Sequence, residues 1–268
     1  MPSSAAVEMT KRDMTSMPAT PEINASAQQL YSLRCDGSQI PTAQLVSVPS
    51  TLEDAIVVQS QLSKLEGADL HAWKVAKSPS GDPVAAPLHP YLDNLPRAVL
   101  SWRRGMKIEV EIAVELSQDL PVRKDTSYER ADIEAAISNA YLGAELVWSG
   151  ISEGGSISFP AFMADRLGNL GYVRGPALPL AVLQPGSSTS LKLWLNGQIA
   201  FDAAGQHPTK DPLTWLWDYA NNHSRPSTAL RAGSIITTGS LCGAIEVAGP
   251  GDVSVQLGND DDMHFALS

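Results

Sequence analysis

Lys107–Leu116, KIEVEIAVEL, is the most regular stretch of this 268-residue chain. Its even positions are Ile108, Val110, Ile112, Val114 and Leu116; its odd positions are Lys107, Glu109, Glu111, Ala113 and Glu115. Strict period-two alternation predicts a β-strand with one apolar face and one acidic face. Glu109 and Glu111 then project in parallel, with α-carbons about 6.6–7 Å apart. Two long carboxylates at that spacing can converge on one hard cation, which takes oxygen ligands. The same pattern also suits a solvated strand face, so a cation site needs a third ligand from elsewhere. Glu145 is the candidate: it interrupts the apolar run Ala144-Glu145-Leu146-Val147. A carboxylate in such a run is costly unless it is paired, metal-bound or left at a sheet edge.

Working outward from this strand, the chain reads as many short strands with three or four helices, an α+β class. Residues 1 to about 25 are rich in Ser, Thr, Pro, Met and Ala without periodicity and read as a leader outside the fold. A first helix is expected over 25–34. A second is expected over 52–66, with Ser50 and Glu53 at capping-box spacing and Gly67 as its stop. Residues 72–76 read as a strand followed by a long loop through 95. Thr126 and Glu129 have the spacing of another capping box, opening a helix with Ile133, Ala136, Ile137, Ala140 and Tyr141 on one face. Residues 143–148 read as a strand. Asp211-Pro212 opens a helix to about 221, in which Leu213, Leu216, Trp217 and Ala220 face inward, and strands are expected at 190–196, 234–238 and 252–257. The division expected is a leader (1–25), a helical and loop region (26–100) and a β-rich core carrying the metal site (101–268), together one globular unit.

The bulk composition narrows the function. The net charge of −10 works against nucleic-acid binding, which needs clustered Lys and Arg. The one small basic group, Arg103, Arg104 and Lys107, lies beside the acidic strand. No apolar run approaches the ~20 residues that span a bilayer, and no secretory core is visible at the N-terminus. Cys35 and Cys242 lie far apart and form neither a zinc spacing nor a Cys-X-X-Cys pair. They read as free thiols of a reducing compartment, which points to the cytoplasm. Neither a dinucleotide fingerprint nor a Walker loop is present.

With three glutamates placed, the chain resembles the fumarylacetoacetate hydrolase superfamily over about residues 45–258. The nearest likeness is to its 2-oxopent-4-enoate hydratase and 4-oxalocrotonate decarboxylase branch. Five stretches carry it in order. AWKVAK at 72–77 is similar to the branch's lysine segment, and KIEVEIAVELSQDLP at 107–121 to its metal strand. GAELVWSG at 143–150 is similar to the strand of the third carboxylate. FMADRLGNLGYVRG at 162–175 is similar to an Ala-Asp-Asn loop, and LRAGSIITTGSL at 230–241, with PGD at 250–252, to a Gly-rich segment.

The resemblance implies a mixed-sheet β-roll core with a smaller helical N-terminal region. It implies Mg²⁺ or Mn²⁺ on Glu109, Glu111 and Glu145, with Lys74 and Asp165 as catalytic groups. Trp148, Arg166, Thr238 and Ser240 would shape the substrate pocket. The activity implied is that of a lyase, hydratase or decarboxylase, acting on an unsaturated 2-oxo or 2-hydroxy acid. The partners implied are a small carboxylate substrate and a homo-oligomer, or a hetero-complex with a related enzyme.

Three departures qualify the likeness. Trp148 and Gly150 stand where the branch has Asp and Arg, Arg166 replaces an Asn, and 78–88 lacks the usual acidic pocket sequence. They point to a retained cation site with an altered pocket. A catalytically altered partner subunit, or an isomerase or dehydratase acting on a different substrate, is the alternative. Hydrolysis is disfavoured, because no His-Glu pair at helix spacing occurs in the first ninety residues. Trp215 and Trp217 are expected to pack or to shape a pocket wall.

Overall fold

The computed structural model describes residues 19–93, 97–226, 228–259 and 261–268. Strand β5 (Lys107–Leu116) has the bounds its alternation predicts. It pairs antiparallel with β6 (Ile137–Val147) on one side and with β10 (Ile235–Ser240) on the other. Beyond β10 lie β1 (Ala72–Lys77), parallel to it, and β2 (Pro83–Pro87); beyond β6 lie β7 (Asn169–Leu178) and β3 (Tyr91–Asp93). A short β11 (Ile245–Glu246) also pairs with β5.

The large sheet is strongly curled. Lys74 on β1 and Glu145 on β6 are three strand spacings apart, about 14 Å in a flat sheet, yet their side chains meet at 2.6 Å. The concave face of this half-barrel therefore carries the odd-numbered residues of β5.

The apolar face of β5 is the centre of the core. Ile108, Val110 and Val114 are fully buried, in one cluster with Leu191, Leu193, Val253, Val255, Met263 and Phe265. Those residues belong to the second sheet, of order β4 (Val99–Leu100), β13 (Asp261–Leu267), β12 (Gly251–Leu257), β8 (Thr189–Leu195) and β9 (Gln198–Gly205). Each such side chain contributes about 1.5–3 kcal/mol when fully buried. α3 (Arg130–Ala136) and α5 (Thr214–Ala220) add Ile133 and Leu216 to this core.

A second cluster joins α1 (Pro21–Asp36), α2 (Leu52–Leu65) and α4 (Phe159–Ala164) through Leu30, Leu62, Ile151 and Met163. Among the described residues no helix is long and apolar enough to cross a membrane.

Several boundaries differ from the reading of the sequence, each for a local reason. Residues 1–18 of the expected leader lie outside the described residues, but 21–25 are already helix. Thr20 caps Ile23 N–H and Pro21 occupies the first turn, a start signal in its own right. Thr51, not Ser50, caps α2, accepting from Asp54 N–H at 3.1 Å. Gly67 does end that helix, in a left-handed conformation at φ 65.

The box opening α3 is formed by Glu129 and Asp132 rather than Thr126 and Glu129. That helix stops at Ala136; Ile137, Ala140 and Tyr141 belong to β6, drawn into the sheet by pairing with β5. The expected loop through 95 contains β2, which folds back antiparallel on β1 through the turn at 78–82, and β3, whose partner β7 is remote in the chain. Within the expected helical and loop region, β1, β2 and β3 are strands of the same sheet as β5.

Candidate metal centre

Glu109 and Glu145 are direct cross-strand partners, and Glu111 follows two residues along the same face. One carboxylate oxygen from each lies within 4.8 Å of the others, a group that can hold a metal ion. Glu145 is fully buried, Glu111 nearly so, and Glu109 half-buried. The trio therefore runs from the interior to the mouth of a cavity of about 590 Å³, whose wall includes Lys74, Glu109, Glu111, Trp215, Ser240 and Cys242.

The local chemistry asks for positive charge. Burial, then the neighbouring Glu145 and Glu109, raise the Glu111 pKa well above the ordinary carboxylate range. Burial raises that of Glu145 as well, against the pull of Lys74. Lys74 Nζ donates to Glu145 Oε1 at 2.6 Å, and Asn169 Nδ2 donates to the same oxygen at 3.1 Å. Although burial disfavours its charge, the three carboxylates hold the Lys74 pKa above the ordinary lysine value. The remaining oxygens, Oε2 of Glu111 and Oε2 of Glu145, are buried without a hydrogen-bond partner among the described residues. Two orphaned buried carboxylate oxygens in one acidic cluster fit a hard cation, which takes oxygen ligands.

The other expected site residues divide. Ser240 lines the cavity, its hydroxyl donating to Gly243 O at 2.8 Å. Thr238 does not: it is on the opposite face, donating to Ile112 O at 2.9 Å. Thr237 is the residue of that pair that faces the glutamates, in register with Ala113 and Lys74.

Asp165 is fully buried away from the cavity wall, and both its oxygens are engaged. Oδ1 accepts from Arg34 Nε at 2.6 Å, and Oδ2 accepts from Ser149 Oγ at 2.6 Å and Gly150 N–H at 2.9 Å. This is the geometry of a tie between α1 and the loops after β6 and α4.

Trp148 is a core side chain, 3% exposed, with its indole N–H on Arg104 O. Gly150 lies under α1, where a β-carbon would stand 3.0 Å from Leu33 Cβ. The two departures at 148 and 150 are thus packing features, not changes in the cavity wall. Arg166 is buried at φ 54, with one bond to Glu66 at 3.1 Å. Burial and the adjacent Arg34 lower its pKa.

Groups passed over in the sequence include Asn169, Tyr172, His207 and Thr237. Cys35 and Cys242 are free thiols, as expected, but Cys242 stands in the cavity wall. Trp215 also lines it, as expected, while Trp217 packs with its indole N–H on Tyr128 O at 2.6 Å. His207 Nε2 donates to Thr238 O at 2.6 Å, and its ring meets Trp215 edge-on at 4.9 Å. It braces the bulge between Thr237 and Ser240, where Gly239 sits at φ 116 with no room for a β-carbon. A second cavity, of about 460 Å³, lies across β1 on the face of Trp73 rather than Lys74, and none of the three glutamates lines it.

The chain matches no family model. Among solved structures it is similar to 4-oxalocrotonate decarboxylase from Pseudomonas putida G7 complexed with magnesium and adipate. The TM-score is 0.72 at 17% identity, over 92% of this chain and 97% of that one. The same enzyme complexed with calcium and acetate gives the same values. A Yersinia pestis CO92 protein described as of the fumarylacetoacetate hydrolase family superposes over 76% of this chain and 97% of its own, at TM-score 0.51 and 19% identity. The curled sheet, the second sheet beneath it and the helical layer at one end thus give this chain the α+β fold of the fumarylacetoacetate hydrolase superfamily.

Proposed function

We propose that this chain is a divalent-metal-dependent lyase, a hydratase or decarboxylase, acting on an unsaturated 2-oxo or 2-hydroxy acid. The observation that carries the reading is the carboxylate trio: three glutamates within 4.8 Å at the end of a cavity, two of them with orphaned buried oxygens. Glu109, Glu111 and Glu145 would hold Mg²⁺ or Mn²⁺. Bound there, such an ion supplies Lewis acidity that stabilises negative charge on an adjacent substrate oxygen.

The chain's own residues do the rest. The cavity, about 590 Å³, falls within the ordinary range for small-molecule sites. Trp215 and Phe201 give it apolar walls for a conjugated carbon chain, and Gln206 and Ser240 give polar contacts at its rim. Lys74 Nζ lies beside the trio and is positioned to carry a proton to or from the far end of that chain. The fold shared with 4-oxalocrotonate decarboxylase, seen with magnesium and adipate, supports the reading. So does the placing of Trp148 and Gly150 in the packing, because it leaves the cavity wall without the alterations that an inactive partner subunit would need.

Replacing Glu109 and Glu111 together by Gln is expected to abolish Mn²⁺ binding and turnover. Candidate 2-oxo-enoates are assayed for CO₂ release and, separately, for loss of dienol absorbance, which distinguishes decarboxylation from hydration. Full turnover in EDTA would sink the proposal.

A further inference from the structure

The cavity of about 460 Å³ on the Trp73 face of β1 is lined by apolar side chains of α2, β1, β2 and α4, among them Leu52, Ile56, Trp73, Val84 and Met163. β1 and α5 separate it from the metal cavity: Lys74 and Trp215 line the metal side, Trp73 and Tyr219 this one. Arg225, only 6% exposed, also lines this apolar space. Its Nε donates to Ala220 O at 3.3 Å and its Nη2 to Leu120 O, which leaves Nη1 without a partner among the described residues. No carboxylate answers its charge: burial lowers its pKa, and the opposing pull comes from the phenols of Tyr219 and Tyr128. Glu53 and Asp82 stand on the exposed rim, and Asp82 is taken up by the hydroxyls of Ser78 and Ser80. The Tyr219 ring lies 5.9 Å from the Arg225 guanidinium carbon. Tyr219 is itself buried, and its hydroxyl makes no hydrogen bond among the described residues.

A buried guanidinium with only neutral partners is costly unless an anion meets it. The two backbone carbonyls tie Arg225 to the end of α5 and to the segment after β5, but they do not neutralise its charge. We propose that this cavity is a second ligand site, distinct from the metal centre, for a monocarboxylate with an apolar body. The carboxylate accepts from Arg225 Nη1 and the Tyr219 hydroxyl, and the hydrocarbon lies among Ile56, Trp73 and Met163. A planar carboxylate suits the guanidinium, and charge-assisted bonds of this kind are the strong ones. The volume falls within the range of about 300–1,000 Å³ usual for small-molecule pockets. None of this depends on the reading of the glutamate trio, which lies across β1.

The test is calorimetric titration of the full chain with octanoate and with its uncharged counterpart, 1-octanol. EDTA is present throughout, so that no metal can chelate the carboxylate, and thermal unfolding checks that each variant is folded. Octanoate is expected to bind one site per chain, more tightly than octanol. Arg225→Met is expected to weaken octanoate roughly tenfold or more and octanol less than about twofold. Ser60→Trp, which fills the cavity from the α2 wall, is expected to abolish binding of both, and it decides the matter if Arg225→Met does not fold. Glu111→Gln, in the metal cavity, is expected to leave octanoate binding unchanged. Octanoate affinity that stays within about twofold of wild type in Arg225→Met, or that survives Ser60→Trp, overturns the inference. So does octanoate that responds to Glu111→Gln instead, and so does a wild-type chain that binds no octanoate.

Discussion

Asp165 offers the sharpest separation between a catalytic role and a structural one. The family resemblance makes it a catalytic group, whereas the structure engages both its oxygens with Arg34, Ser149 and Gly150 N–H. Asp165→Ala would leave the Arg34 guanidinium, 5% exposed, with two backbone carbonyls, Asn169 O at 2.8 Å and Asp165 O at 2.7 Å. It would also strip the acceptor from Ser149 and Gly150.

Breaking a buried pair by removing one partner costs about 3–5 kcal/mol. At about 2–4 °C per kcal/mol for a chain of this size, the expected fall in Tm is roughly 6–20 °C. Asp165→Asn keeps the shape but sets an amide N–H₂ against either Arg34 or Gly150 N–H, so a smaller loss of about 1–3 kcal/mol is expected. Arg34→Ala should resemble Asp165→Ala. The double variant should fall short of the sum of the singles, because the two residues share one interaction. Thermal and urea unfolding give these values, and residual turnover is then measured well below the lowered Tm. A stable Asp165→Asn protein, with Tm within about 1 °C of wild type and turnover abolished, would refute the structural assignment and restore the catalytic one.

Two further outcomes follow from the buried charges. Lys74→Met removes the ammonium that faces the glutamate trio, so the variant is expected to unfold several degrees lower in EDTA and to gain more than wild type on adding Mn²⁺. An unchanged Mn²⁺ increment in differential scanning calorimetry would count against the trio as a cation site. His207 is held below the ordinary histidine pKa, chiefly by burial, although Thr238 O and Asp211 oppose this. A histidine kept neutral in the fold makes no difference above its unfolded pKa, near 6.5. Between that value and its lower folded pKa, the unfolded chain takes up the proton and stability is lost as pH falls. His89, lowered by burial and by Arg166 and Arg34, acts in the same direction. His207→Gln should therefore show a smaller drop in Tm between pH 7.5 and 5.5 than wild type, and an equal drop would contradict the assignment.

How much of this was legible in the sequence depends on where each signal lives. The β5 alternation is local, so its bounds and the parallel aim of Glu109 and Glu111 could be read directly. Glu145 was legible because a carboxylate in an apolar run is costly, and its register opposite Glu109 supplies the reason for its presence. β9 was invisible, since most of its residues are exposed and it has no buried alternation to display. β7 carries Gly171, Gly175 and Pro176 within its span and reads as loop until β6 and β3 hold it from both sides. The Ile137–Tyr141 segment shows how pairing overrides a helical spacing. Its apolar residues fit both periods, and the neighbouring strand selects one.

The glycine-rich segment near 238 shows the limit most clearly. The family resemblance gives both Thr238 and Ser240 to the pocket, and on a regular strand two residues of the same parity would share one face. A bulge between Thr237 and Ser240 breaks that parity, so Thr237 and Ser240 face the cavity side while Thr238 bonds the sheet behind them. The bulge exists because Gly239 can take φ 116 where Trp215 and His207 press on its α-carbon. The two clamping residues come from 24 and 32 positions earlier in the chain, so no window around residue 238 contains the cause. Parity arguments on a single strand hold only while the strand stays regular. At this site the irregularity places the hydroxyls, and it is set by the remote side chains that close over one glycine.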